Sequence, residues 1–174
     1  MVRRCLLPAV LGTLALTSAC RESLDSEPDA DTTGARACKV GATAECTMAE
    51  TQSSLAWIET NVFAKSCAFS GCHNGSATAA GRIDLKNAGM SHADLVGVDS
   101  AIETGRKLVV AGQPKQSYLL MMLRHFPPTE MEPTPVAPPP GDIGFMPQNA
   151  GGAVLCCQKL DALDRWITAG AMNN

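Results

Sequence analysis

Apolar positions along this chain fall into a few helix-spaced stripes separated by long stretches with no regular period. Near the amino end, Met1-Val2-Arg3-Arg4 is followed by an apolar run from Leu6 to Leu16, broken only by Pro8, Gly12 and Thr13. The run is too short to cross a bilayer, and its positive start marks it as a secretory signal. Residues 21 to about 37 then carry Glu22, Asp25, Glu27, Asp29 and Asp31 against Arg21 and Arg36, with almost no large apolar side chain. Such a segment buries too little surface to offset its ordering entropy, so it reads as a solvated tether. The helical period begins afterwards. Thr47-Met48-Ala49-Glu50 has the pattern of a capping box, and Leu55, Ile58 and Val62 then share one face, flanked by Trp57 and Phe63. This predicts a helix of about four turns leading into Ser66-Cys67.

Beyond it the pattern weakens. From Gly75 to Gly89 the chain is small and polar and predicts loop. Ser91 is placed to cap a short helix through Asp94-Leu95-Val96 ending at Gly97, and Lys107-Leu108-Val109-Val110 is an apolar, extended-looking piece closed by Gly112. Pro114 suits a helix start, and Leu119, Leu120 and Leu123 supply a stripe that Pro127-Pro128 ends. Residues 127–147 hold eight of the eleven prolines, a density that rules out an ordinary helix or central strand, so this segment must wrap a surface. Within it Phe145-Met146-Pro147 is an apolar, sulfur-bearing patch. The last element, from about Val154 to Ala169, repeats Cys156, Leu160, Leu163 and Ile167 on one face with Trp166 beside them and Gly170 as the stop.

Charge and cysteine use narrow the setting. The signal ends in Leu16-Thr17-Ser18-Ala19-Cys20, which resembles a bacterial lipobox with Cys20 as the lipidated first residue of the mature chain. Losing Arg3 and Arg4 with the signal takes the formal charge from −3 to −5 and leaves no basic patch of the kind nucleic acid requires. The sequence thus divides into a signal peptide (1–19), a lipid-anchored acidic flexible linker (20–45) and a folded domain (46–174). With Cys5 removed and Cys20 lipidated, Cys38, Cys46, Cys67, Cys72, Cys156 and Cys157 remain. Adjacent residues on a helix point about 100° apart, so Cys156 and Cys157 each call for a distant partner. Cys38 and Cys46 either staple the amino-terminal edge to the last helix or close a local loop with each other.

The candidate chemistry lies in Cys67-Ala68-Phe69-Ser70-Gly71-Cys72-His73. Two cysteines followed at once by histidine are the signature of covalent haem attachment, in which the thiols form thioethers to the porphyrin and the imidazole binds iron. The usual spacing is C-x2-C-H; this chain has a C-x4-C-H variant, whose small residues Ala68, Ser70 and Gly71 allow the longer loop to bulge near a flat ring. The bland alternative is a Cys67–Cys72 disulfide closing a short loop in an exported protein. Only seven aromatic residues occur in the chain, so its own core is thin, and a buried porphyrin would supply apolar surface that disulfides would otherwise have to replace.

The order of helix, C-x4-C-H, loops, short helices, Met-Pro loop and amphipathic terminal helix resembles a class I cytochrome c domain. The chain is most similar to bacterial exported c-type cytochrome domains that carry a Gly-x-Pro-x-x-Ser-x-Leu segment, a Met-Pro segment and a terminal Trp-Ile-x-x-Gly-Ala. These stand here as Gly112-Gln113-Pro114-Lys115-Gln116-Ser117-Tyr118-Leu119, Met146-Pro147 and Trp166-Ile167-Thr168-Ala169-Gly170-Ala171. The resemblance covers about residues 50–172 and implies an all-α, cytochrome c-like small helical domain with long wrapping loops after a disordered tether. It implies haem c held by Cys67 and Cys72, with His73 and Met146 as iron ligands.

Among other candidate ligands, Met121 and Met122 read as core filler, since a helical methionine usually is. Met131 lies between Glu130 and Glu132, and burying it would strand charge. His125 reads as a residue that complements a helix C-terminus, and His92 as surface; Met90 and Met172 complete the set. With His and Met both on iron no position stays open, and the implied function is one-electron transfer with redox partner proteins at a membrane face, exported and lipid-anchored, with no small-molecule substrate. Two rivals stand beside it: a haem-free, disulfide-stapled lipoprotein acting as a structural or interaction module, and a haem enzyme if Met146 does not reach iron.

Overall fold

The computed structural model describes residues 38–68, 72–75, 83–135, 145–147 and 155–174. The signal, Cys20 and most of the acidic linker fall outside the described residues.

The described residues are helical, joined by turns and isolated β-bridges, with no strand among them. Helix α1 (Ala44–Ala49) starts one turn earlier than its sequence suggests. Thr43, not Thr47, is the N-cap, its hydroxyl accepting from the Cys46 N–H at 3.3 Å, while Thr47 lies inside the helix. The predicted four-turn helix is therefore divided. A second cap, Ser54, accepts from the Trp57 N–H at 3.4 Å and opens α2 (Leu55–Ile58). Asn174 satisfies two more N–H groups of this end, its side-chain oxygen accepting from Leu55 at 3.0 Å and its carbonyl oxygen from Ala56 at 2.8 Å. A π-helical turn (Glu59–Phe63) and a last turn, α3 (Ala64–Ser66), continue directly. Thr60 and Asn61 donate their side chains to the carbonyl oxygens of Ala56 and Trp57, both at 3.0 Å, competing with the backbone ladder where it widens. Leu55, Ile58, Val62 and Phe63 are buried along this rod.

The terminal helix α6 (Cys157–Thr168) packs its Leu160, Leu163, Trp166 and Ile167 stripe on that core and touches both α1 and α2. Arg165 closes the other end of α1 by donating to the carbonyl oxygens of Ala49 and Gln52, a cation where a helix C-terminus favours one. At the start of α6, Cys157 is bonded to Cys38 and Cys156 to Cys46. Residues 38–45, given to the linker on sequence, are thus fastened to the last helix. Gly41 completes the fastening through paired hydrogen bonds with the Gln158 amide, at 3.0 and 2.8 Å.

Between these helices the chain makes short pieces. Helix α4 (Met90–Leu95) begins after Gly89, whose positive φ of 83° suits glycine. Ser91 does not cap it. Its buried hydroxyl donates to Glu59, which also accepts from the Gly89 N–H at 2.9 Å, so a carboxylate from the π-helical turn serves the start of α4. The 107–110 piece forms bridges at Lys107 and Val109. Pro114 opens a 3-10 turn (Pro114–Gln116) that leads to α5 (Tyr118–Met122). Even in the proline-rich segment one 3-10 turn forms, at Pro128–Glu130.

Candidate functional site

The rod of α2 and α3 delivers the C-x4-C-H segment to one side of a deep apolar cavity. Cys67 and Ala68 donate their N–H groups to the Phe63 carbonyl oxygen at 2.8 and 3.0 Å, which ends the helix. The His73 N–H then donates back to the Cys67 carbonyl at 3.1 Å, closing the loop, and the His73 carbonyl accepts from Leu85 at 2.9 Å. Both main-chain groups of His73 are committed, so its backbone is held from two directions. Residues 69–71 of the loop lie outside the described residues.

The cavity and its open mouth together enclose about 960 Å³ of empty space. Cys67, Cys72, His73 and Met146 all line it. Its other walls are mainly apolar: Phe63 from the first rod, Leu95 from α4, Leu108 from the bridged segment, and Leu119, Met122 and Leu123 from the α5 region. The structure therefore brings together the four residues that the sequence singled out across a separation of more than seventy positions.

Cys67 and Cys72 are not bonded to each other, whereas the other four described cysteines are paired. Burial, with the neighbouring Cys72 adding to it, pushes the Cys67 thiol up to about 12. Tyr118, also on the wall, is shifted upward for the same first reason, burial, with Glu103 contributing next.

Met146 is half-buried and packs against the main core and against a second apolar group formed by Tyr118, Met121, Met122 and Met131. Its N–H donates to the Met122 carbonyl at 2.8 Å. Beside it, the Arg124 guanidinium lies over the Phe145 ring, 4.9 Å from the centroid. Arg124 itself has φ 58°, a left-handed backbone that costs a residue with a β-carbon about 1–2 kcal/mol.

Several expectations about other ligands need correction. Met131 is buried without stranding charge: its backbone is extended, so consecutive side chains alternate, and it turns inward against Tyr118, Met121 and Met122 while Glu132 stays exposed. It does not line the cavity. His125 stands at the end of α5, its N–H donating to Leu120, and is fully buried, its Nε2 2.9 Å from an Asp164 carboxylate oxygen. His92 is partly buried, its Nε2 3.0 Å from the Ala171 carbonyl oxygen. Met122, read as filler, is on the cavity wall. Leu119, Met122 and Leu123 fall at i, i+3 and i+4, a spacing that would have placed it there. Met121 does sit in the core.

Among the described residues, no three His, Cys, Asp or Glu side chains converge as a site for a bare metal ion. No protein-family model matches the chain, no curated protein matches its sequence, and no solved structure matches it.

Proposed function

We propose that the cavity holds a covalently attached c-type haem in a cytochrome c-like domain, and that the protein is a one-electron carrier. The observation that carries this reading is the division of the cysteines. Four are committed to two disulfides, while the two of the C-x4-C-H segment remain thiols and share an apolar cavity with His73 and Met146. A rigid planar macrocycle needs apolar walls, two thiols near one edge, and nitrogen and sulfur donors for its iron, and the lining offers each of these.

In this reading Cys67 and Cys72 would hold the group as thioethers, and His73 and Met146 would ligate its iron. A haem held by histidine and methionine supplies reversible one-electron chemistry, with the thioether favouring the reduced form. The chain's own task is to keep its ligands in place and water out. The main-chain bonds of His73 to Cys67 and Leu85 hold the imidazole side, the Met122 carbonyl holds the Met146 segment, and the Leu and Phe walls exclude solvent.

The rest of the reading follows the sequence. A signal at 1–19 and lipidation at Cys20 would place the carrier at the periplasmic face of a membrane or the cell surface, reached through its linker, with redox proteins as partners. Among the described residues no helix is long and apolar enough to cross a membrane. The disulfides also favour a second reading, a haem-free stapled lipoprotein serving as a structural or interaction module. A pyridine haemochrome spectrum of protein made in a host with haem maturation machinery separates the two. A c-type spectrum supports the carrier, and its absence with intact thiols at Cys67 and Cys72 rejects it. Ready carbon monoxide binding by the wild type would turn the reading toward a haem enzyme.

A further inference from the structure

Helices α5 and α6 end in the same hydrogen-bonded turn but fill it differently. After α6 the Ala171 N–H donates to Trp166 and the Gly170 N–H to Ile167, both at 2.9 Å, with Gly170 left-handed at φ 103°. After α5 the His125 N–H donates to Leu120 at 2.8 Å and the Arg124 N–H to Met121 at 2.9 Å, with Arg124 left-handed at φ 58°. This terminating turn favours glycine, since a β-carbon crowds the backbone there. Arginine adopts this backbone at a cost, and its side chain makes a contact that glycine could not. That side chain covers the Phe145 ring, next to Met146, whose N–H is held by Met122 in the last turn of the same helix.

We propose that Arg124 is a positioning residue that latches the Phe145-Met146-Pro147 segment onto the end of α5 and so fixes the Met146 thioether at the cavity. Among the described residues the latch joins a cation–ring contact to a main-chain hydrogen bond, both borne by the α5 terminus. Because the left-handed turn directs the Arg124 side chain, helix end and ligand segment form one unit. The consequence for an iron-bound methionine rests on the proposed function; the hold on the segment's backbone does not.

Arg124→Gly is the informative variant, because glycine suits the turn while the side chain that covers Phe145 is removed. In full-length protein labelled with 15N-methionine, the Met146 amide should exchange with solvent roughly 2- to 30-fold faster than in wild type, the range expected for loss of a cation–ring contact. The melting temperature should not fall. Phe145→Leu should have a similar effect, and the double variant little more than either single one, since both delete the same contact. In haem-bearing protein, the ferrous form of Arg124→Gly should bind carbon monoxide faster than wild type. The proposal is overturned if Met146 is unprotected in wild type, if Arg124→Gly leaves its exchange unchanged, or if the two substitutions act additively. Exchange reads the latch whether or not haem is attached, so failure of the haem reading is seen separately in the haemochrome spectrum.

Discussion

The main-chain N–H of Met146 donates to the carbonyl oxygen of Met122 at 2.8 Å, so the segment bearing one thioether hangs from the helix bearing another, and both side chains line the cavity. Two sulfurs therefore stand at the cavity as candidates for the proposed iron ligand. Met146→Ala is expected to open a coordination position, lower the reduction potential and admit carbon monoxide to the ferrous protein. Met131→Ala should leave the spectrum unchanged, because Met131 lies in the core outside the cavity. Met122→Leu should retain a six-coordinate spectrum; if it, and not Met146→Ala, opens the site, the ligand is Met122.

Attachment and stapling are separable. Cys67→Ala and Cys72→Ala should each reduce haem retained on denaturing gels. Cys156→Ala should keep haem but lose roughly 2–5 kcal/mol of unfolding free energy in denaturant titrations, the usual cost of losing a native disulfide that closes a long loop. Mass spectrometry showing Cys67 bonded to Cys72 in the wild type would contradict the first expectation.

The raised Cys67 value sets a pH dependence in protein lacking haem. The folded thiol, at about 12, lies above the ordinary value of 9.0, so the fold binds this proton more tightly than the unfolded chain does. Its contribution is complete below about pH 9 and is lost as pH rises toward 12. Cys67→Ser should flatten that part of the decline in urea titrations, and haem-loaded protein, with a thioether there, should lack it too. An undiminished decline in Cys67→Ser would assign it to other groups.

Gly41 is held where a side chain cannot follow. A β-carbon there would lie 2.5 Å from the Cys46 sulfur and 3.0 Å from the Cys156 Cβ, both within one disulfide and unable to swing away. Gly41→Ala should destabilise the protein by about 1–3 kcal/mol, as overpacking does. A thermal melt matching wild type would show that this edge yields more easily than its geometry allows.

The proposed anchor depends on one side chain. Cys20→Ser should move the protein from the detergent phase to the aqueous phase on partitioning. An unmodified mature amino terminus in wild-type protein would exclude lipidation.

Periodicity made the packing elements legible, because Leu160, Leu163 and Ile167 meet the core at helical spacing and little competes with that signal. Caps were less legible. Thr43 and Thr47 both suit an N-cap, and the choice was made by Cys46, which must face Cys156. Ser91 failed as a cap because Glu59, distant in sequence, reaches α4 first. Met131 was misplaced because its neighbours are charged, and local composition says little about which way a side chain turns when the backbone is extended. The cavity's own residues were legible from motif order, while Met122 needed the helix face to be traced and Arg124 needed a φ angle that no sequence displays.

Burial of Cys67 also bears on how six thiols sort themselves. Exchange and oxidation proceed through the thiolate, and burial, with Cys72 beside it, holds Cys67 as the thiol. In the folded chain this sulfur reacts more slowly than an ordinary thiol with the oxidants that join Cys38 to Cys157 and Cys46 to Cys156. The fold thus acts as its own protecting group, holding one thiol in reserve while its neighbours are spent.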